Sequence, residues 1–386
     1  MIYLDNAATS YPKPKMVIDA VNKSFIHTAN PGRSGYKASI NASELLFKCR
    51  EKIGKLVNFN KPENVILMSS CTIALNTVIK GTLKKGDHVI ISSLEHNSVV
   101  RPIKRLADER IITYDVAEVF EGDNDKTVDS FRRCIKDNTK LCICTHASNV
   151  FGIKLPISRI GALCRYYGIL FCVDTAQTIG ICDIDIEEIG ADYLCAPGHK
   201  GLYGPMGTGF LIINNEKCPV QLIEGGTGSS SLDNNQPQML PDKYESGTVN
   251  FHGFCGLSAG IDFVNRNKVS NIEKHEMNLI SHLYDELSNM ESVNIYTNKP
   301  ESQYHVPILS FNVSDVDCNT LAAHLDSKYN ISLRAGLHCS PLAHENYAKE
   351  ANGTLRVSPS LFTNTSHIKM LINSIYYVTK NKKILI

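Results

Sequence analysis

From about residue 60 to residue 215, short apolar runs alternate with stretches of helical spacing, and this alternation restricts the fold more than any other feature. The strand candidates are VILMSS (65–70), HVIISS (88–93), IITYDV (111–116), LCICTHA (141–147), ILFCVD (169–174), DYLCA (192–196) and GFLIIN (209–214). TIALNTVIKGTL and ISRIGALCRYYG, which lie between them, carry helical patterns. Continuous apolar runs of strand length are buried on both faces, which requires a mostly parallel sheet covered by helices. The expected fold class is α/β, with a seven-stranded, mostly parallel sheet between helices. In such sheets ligands bind where strands end and the next loops begin.

Past the last of these runs the pattern changes. EGGTGSSSLDNNQPQ (224–238) reads as an extended loop, and a long helical segment follows at roughly 255–290. The remainder reads as an α+β unit. HVPILSFNV is expected to be a strand, TLAAHLDSKY a helix, ISLRAG one short strand and TLRVSP another. We expect a large domain over 15–255 and a smaller one over 256–386, with residues 1–14 packed on the latter. A chain of 386 residues with 43% apolar and 20% charged content can fill both cores. A net charge of +1 gives no reason to expect a nucleic acid or a membrane surface as partner. No apolar run approaches the roughly 20 residues that cross a bilayer, and MIYLDNAATSYP lacks the features of a signal peptide. Thirteen scattered cysteines, many in strand-like runs, suggest reduced thiols in a cytoplasmic protein. No CxxC pair supports a metal site.

Four segments place chemistry at strand ends. In APGHKGLYGPMGTGF (196–210), Lys200 follows a strand and precedes a Gly-rich run that lets a ligand approach closely. A lysine there forms a Schiff base if its amine is kept partly neutral. One strand–helix–strand unit earlier, ILFCVD ends in Asp174, with Gln177 following. An acid on the same sheet edge suits the ring nitrogen of pyridoxal phosphate (PLP), because a protonated ring is the better electron sink. Alone, Asp174 reads equally as a helix N-cap. SSCTIALNTVIK (69–80) opens a helix after a strand, where backbone N–H groups bind phosphate or a serine simply caps. In SLEHNSV (93–99), His96 suits stacking on a flat ring or a structural role.

Taken together these segments resemble the class V aminotransferase group of PLP fold type I, and within it the cysteine desulfurase / selenocysteine lyase family. The resemblance runs from YLDNAATSYPKP (3–14) through ANPGRSGY (29–36), HASNVFG (146–152), VDTAQTIG (173–180), PGHKGLYGPMGTG (197–209) and ESGTVN (245–250) to RAGLHCSP (334–341) and GTLRVSPSLFTN (353–364). It implies pyridoxal 5'-phosphate bound covalently at Lys200, which also moves substrate protons. It implies Asp174 on the ring nitrogen, Gln177 on the ring hydroxyl and His96 stacked on the ring. Thr72, the backbone of Cys71 and His199 would hold the phosphate. Thr248 would reach the cofactor of a second subunit, so a homodimer with shared sites is implied. Asn149 and Arg356 would hold the substrate carboxylate. One position departs from the family: Pro197 stands where a serine or threonine is common, and it offers neither hydroxyl nor N–H.

The reaction turns on RAGLHCSPLAH (334–344), whose Gly, His, Ser and Pro are loop residues. The resemblance makes Cys339 the sulfur acceptor. Its thiolate attacks the substrate sulfur, giving an enzyme persulfide and alanine, and Arg334 or protonated His338 would favour that thiolate. The expected substrate is L-cysteine, with L-selenocysteine as the rival and a sulfur or selenium acceptor protein as the partner. Another class V transamination or elimination needs no such thiol, and a scaffold without catalysis needs none of these residues.

Overall fold

The computed structural model describes residues 1–32, 35–229 and 232–381. Residues 33 and 34 of the ANPGRSGY motif, and 230 and 231 of the expected loop, lie outside the described residues. The chain opens with β1 (Ile2–Tyr3), α1 (Lys15–His27) and α2 (Lys37–Leu56). The alternating region follows as β2 (Val65–Met68), α3 (Cys71–Thr82), β3 (His88–Ser92), α4 (Asn97–Asp108), β4 (Thr113–Ala117), α5 (Asn124–Arg133), β5 (Thr139–Thr145), α6 (Ile157–Tyr167), β6 (Leu170–Asp174), α7 (Ile186–Ile189), β7 (Tyr193–Pro197) and β8 (Gly209–Ile213). After the extended loop come α8 (Phe251–Asn267), α9 (Val269–Ser288), β9 (Val293–Ile295), β10 (Leu309–Val313), α10 (Cys318–Tyr329), β11 (Ile331–Ser332), β12 (Arg334–Gly336), α11 (Pro341–Tyr347), β13 (Thr354–Val357) and α12 (Thr365–Lys380).

All seven strand candidates join one sheet, in the order β2-β8-β7-β6-β5-β3-β4. β8 runs antiparallel to both of its neighbours, and the pairs from β7 to β4 are parallel. Side chains alternate between two apolar layers, as the period of a strand requires. On β6, Phe171 and Val173 join one cluster while Leu170 and Cys172 join the other. The edge strand β4 is largely accessible, whereas β6 and β7 are buried throughout. β3, β5, β6 and β7 therefore end together in a protected position at the centre of one sheet edge.

The second sheet is antiparallel, in the order β12-β13-β10-β9, and packs on residues of α9, α10 and α12. ISLRAG is not one strand. Ile331 and Ser332 pair with β1, whereas Arg334 to Gly336 pair with β13. The run splits because its first two residues find their partner in the N-terminal segment. The strand expected from HVPILSFNV begins only at Leu309, beyond Pro307, which has no N–H to give a ladder. The boundary expected between 255 and 256 falls inside α8, whose Phe254, Leu257 and Ile261 belong to the large cluster. We propose the break at Lys268, between α8 and α9, as the point where the chain leaves the large unit. No helix among the described residues is long and apolar enough to cross a membrane.

Candidate active site

β6 and β7 are neighbours, with Asp174 opposite Cys195, so Asp174 and the Gly198–Lys200 turn share one sheet edge. A cavity of about 180 Å³ opens there. Cys71, Thr72, His96, Asn149, Asp174, Gln177, His199 and Lys200 all line it, together with Ser70, Ser98 and Pro197. Burial works against charge on both members of the central pair. It pushes the Asp174 carboxyl up and the Lys200 amine down, while their mutual attraction opposes each shift. The result is a lysine nearer to the neutral amine that carbonyl chemistry needs. Asp174 Oδ1 accepts from Ala176 N at 2.9 Å and meets Cys71 Sγ at 3.5 Å.

His96 caps α4, its Nδ1 accepting from Ser98 N at 3.0 Å. Burial, then the charge of Lys200, lowers it to about 4, so the ring is neutral and its proton sits on Nε2. Ser70 caps α3 by accepting from Ile73 N at 3.2 Å, and its own hydroxyl hydrogen stays available. A Cβ on Gly209 would lie 2.9 Å from Cys71 N and 2.7 Å from Ser70 C, so only glycine lets β8 pass this helix start. The carbonyl of His199 is clamped by Ser10 N at 3.0 Å and Lys13 Nζ at 3.0 Å. His199 Nδ1 is buried without a hydrogen-bond partner among the described residues, and burial lowers this ring to about 4. Gln177 Nε2 donates to Ala7 O at 3.2 Å.

Of the residues expected to face the substrate, Asn149 lines the cavity and its backbone carbonyl accepts from Arg356. Arg356 and Arg334 are cross-strand partners on β13 and β12. Arg356 is fully buried; Nη2 meets Asp5 Oδ1 at 2.5 Å and Nη1 donates to Asn149 O at 2.8 Å, while Nε has no partner among the described residues. Asn149 Nδ2 donates to His338 O at 2.7 Å and Oδ1 accepts from Ser340 Oγ at 2.6 Å. Cys339 O accepts from Asn97 N at 2.8 Å, so the cysteine loop is tied to the helix that His96 caps. His338 and Cys339 both take left-handed backbone, with φ of 51° and 59°, a conformation costly for such residues.

All thirteen cysteines are free, and Cys339 alone is exposed. It lies at a groove that shares Thr72 and His96 with the cavity, and Arg334 Nη2 is 3.9 Å from its sulfur. His338 does not supply the expected second cation. Burial, then Arg356, lowers it to about 2, and its Nε2 donates to Thr354 O at 2.9 Å. Thr248 stands apart from the cavity, in another cleft with Ser246 and Ile223. Its segment is anchored by Glu245, which meets Arg50 at 2.6 Å and accepts from Leu67 N at 2.6 Å.

Sequence reasoning did not single out Asp5, Ser340 or Glu95. Asp5 sits in the quoted YLDNAATSYPKP motif, where position alone gave it no chemistry. Glu95, next to His96, is buried between the ends of β3 and β5. Its Oε1 accepts from Ser92 Oγ and from Thr145 N at 2.8 Å, Oε2 has no partner among the described residues, and burial raises it to about 8. A carboxylate in the short turn between β3 and α4, beside His96, was the available signal.

A buried amine, a neighbouring acid, a neutral flat ring, an orphaned imidazole nitrogen and a capped helix start fit a group with a reactive carbonyl, a ring nitrogen and a phosphate. The comparisons give the family. The aminotransferase class-V family profile matches residues 2–371. A protein of Methanothermobacter thermautotrophicus named as a probable cysteine desulfurase is 34% identical over 379 residues, covering 96% of this chain and 92% of its own. Another, from Pyrococcus abyssi, is 30% identical over 391 residues, covering 99% and 95%. The apo structure of a cysteine desulfurase from Thermococcus onnurineus superimposes with a TM-score of 0.90 at 30% identity, covering 98% of this chain and 94% of that one. With a match over nearly all of its length, the chain belongs to the class-V aminotransferase family, whose enzymes depend on pyridoxal phosphate.

Proposed function

We propose that this chain is a PLP-dependent cysteine desulfurase that converts L-cysteine to L-alanine and takes the sulfur onto Cys339 as a persulfide. The observation that carries this reading is the single exposed thiol, at the mouth of the Lys200 cavity and 3.9 Å from Arg334. PLP, when bound, withdraws electrons from the substrate Cα and makes its proton acidic. Lys200 would hold the cofactor, and its amine would take that proton and return one. Asp174 would pair with the ring nitrogen, Gln177 with the ring oxygen, and His96 would stack on the ring. Thr72, the Cys71 backbone and His199 would hold the phosphate, with the Ser70 hydroxyl replacing the one Pro197 lacks. Asn149 and Arg356 receive the substrate carboxylate, and the free Nε of Arg356 is a donor for it.

Arg334 favours the Cys339 thiolate. The thiolate attacks the substrate sulfur, an S–S bond forms as the C–S bond breaks, and the carbon left behind is protonated to alanine. Thr248 lies outside its own subunit's cavity, beside exposed Ile223, which supports a homodimer in which it serves the other subunit. Free thiols throughout suit a cytoplasmic enzyme that passes sulfur to an acceptor protein. Alanine formation from L-cysteine and from L-selenocysteine, with wild type and Cys339→Ala, tests the reading. Fast turnover of selenocysteine beside negligible turnover of cysteine would replace it with a selenocysteine lyase.

A further inference from the structure

We propose that the groove beside Cys339 docks a sulfur acceptor that presents its thiol on an acidic segment. The inference rests on the desulfurase reading and names the chemistry of its partner. The groove holds about 460 Å³ and is lined by Thr72, Asn76, Lys80, Arg101 and Arg105 next to Cys339. No carboxylate is among its lining residues. Lys80, Arg101 and Arg105 are all exposed. Lys80 and Arg101 form no ion pair with a described residue, and Arg105 only approaches Glu109, at 3.9 Å. Lys80 stands in the last turn of α3, and Arg101 and Arg105 are one turn apart on α4. Cations spread over two helices match a chain segment bearing several carboxylates better than a single small anion. Unneutralised like charges along a cleft concentrate anions there and repel basic partners.

The cysteine loop explains why the acceptor must come to this groove. Asn97 N, Asn149 Nδ2 and the Ser340–Asn149 bond fix it at 2.8, 2.7 and 2.6 Å. Between β12 and α11 it has too few residues to carry sulfur outward while those bonds hold. The acceptor thiolate enters and attacks the outer sulfur of the Cys339 persulfide. A new S–S bond forms on the acceptor, the Cys339 S–S bond breaks, and Cys339 leaves as thiolate. The acceptor ends as the persulfide, and no outside oxidant or reductant is consumed.

The test uses holoenzyme charged with L-cysteine and two synthetic peptides of equal length, each ending in cysteine, one rich in glutamate and one in lysine. Mass spectrometry follows sulfur appearing on each peptide. Discharge to the acidic peptide should be about 10-fold faster at low salt, with the advantage shrinking as salt rises. Arg101→Glu with Arg105→Glu should abolish or invert the preference, and Lys80→Glu should weaken it. Alanine release with dithiothreitol as acceptor should stay at the wild-type rate in all three substitutions. Equal discharge to both peptides, or an acidic preference that survives charge reversal, overturns the proposal. Thioglycolate accepting sulfur as fast as the acidic peptide also overturns it, by making the occupant a small anion. Failure of the wild type to release alanine even with dithiothreitol overturns the desulfurase reading beneath it.

Discussion

Lys200 and Cys339 both sit on turns that leave a strand, and both border the same site, yet they are held in different ways. Lys200 follows a central strand of the large sheet and is enclosed, so burial sets its proton affinity. Cys339 follows the outer strand β12 and is exposed; Asn97 N bonds its carbonyl, Asn149 Nδ2 bonds the carbonyl of His338 before it, and both His338 and Cys339 are in strained left-handed backbone. The difference suits the two tasks proposed for them. Proton transfer at carbon needs a dry floor with a shifted amine, whereas sulfur delivery needs a nucleophile that a second molecule can reach.

Lys200→Ala strikes the floor and should have the largest effect. Alanine formation should fall about 10⁴-fold or more, and the visible absorbance of lysine-bound cofactor should be lost on reconstitution. Cys339→Ala strikes the mouth. Alanine formation from cysteine should fall on the order of 10²–10³-fold, while cofactor content and absorbance stay at wild-type values. A Cys339→Ala protein that fails to hold cofactor would break the separation of floor from mouth.

Two pH effects of opposite sign sharpen the comparison. His96 and His199 titrate at about 4 and His338 at about 2, against 6.5 for a free imidazole. The unfolded chain therefore takes up protons near 6.5 that the native protein refuses, and stability falls as the pH drops below that point. Melting temperature should decline steadily from pH 7 to pH 5. Glu95 acts the other way. Its native carboxyl keeps its proton up to about 8, whereas an unfolded one loses it near 4.5, so its stabilisation is complete at low pH and is lost as pH rises towards 8. Glu95→Gln removes that alkaline loss. Its melting temperature should exceed the wild type's by about 2–4 °C at pH 8.5, with little gain at pH 5.

Six of the seven strands of the large sheet were legible because strands buried on both faces leave an apolar run that no surface strand leaves; β4, accessible at the edge, is the exception. Asp174 and Lys200 were legible for a related reason, since a polar residue at the end of such a run stands out. ISLRAG was harder. Its two halves pair with β1 and β13, hundreds and tens of residues away, and no local pattern records a change of partner. Asp5 and Ser340 were missed because each acts through another side chain, Asp5 on Arg356 and Ser340 on Asn149. Protonated His338 was a misreading of burial: beside Arg356 and under Thr354, the ring has neither the solvent nor the counter-charge to hold a proton.

The N-terminal segment has a consequence for how this protein comes into being. Asp5 meets Arg356 across a separation of 351 residues, Ala7 N donates to Ser358 Oγ, and β1 waits for β11. A ribosome delivers the first partner of each contact long before the second. The large sheet can assemble while synthesis continues, but the Arg356 end of the site closes only after β13 has emerged. A nascent or truncated chain is thus a folded sheet without a finished pocket, and completion of the enzyme is a late, long-range event.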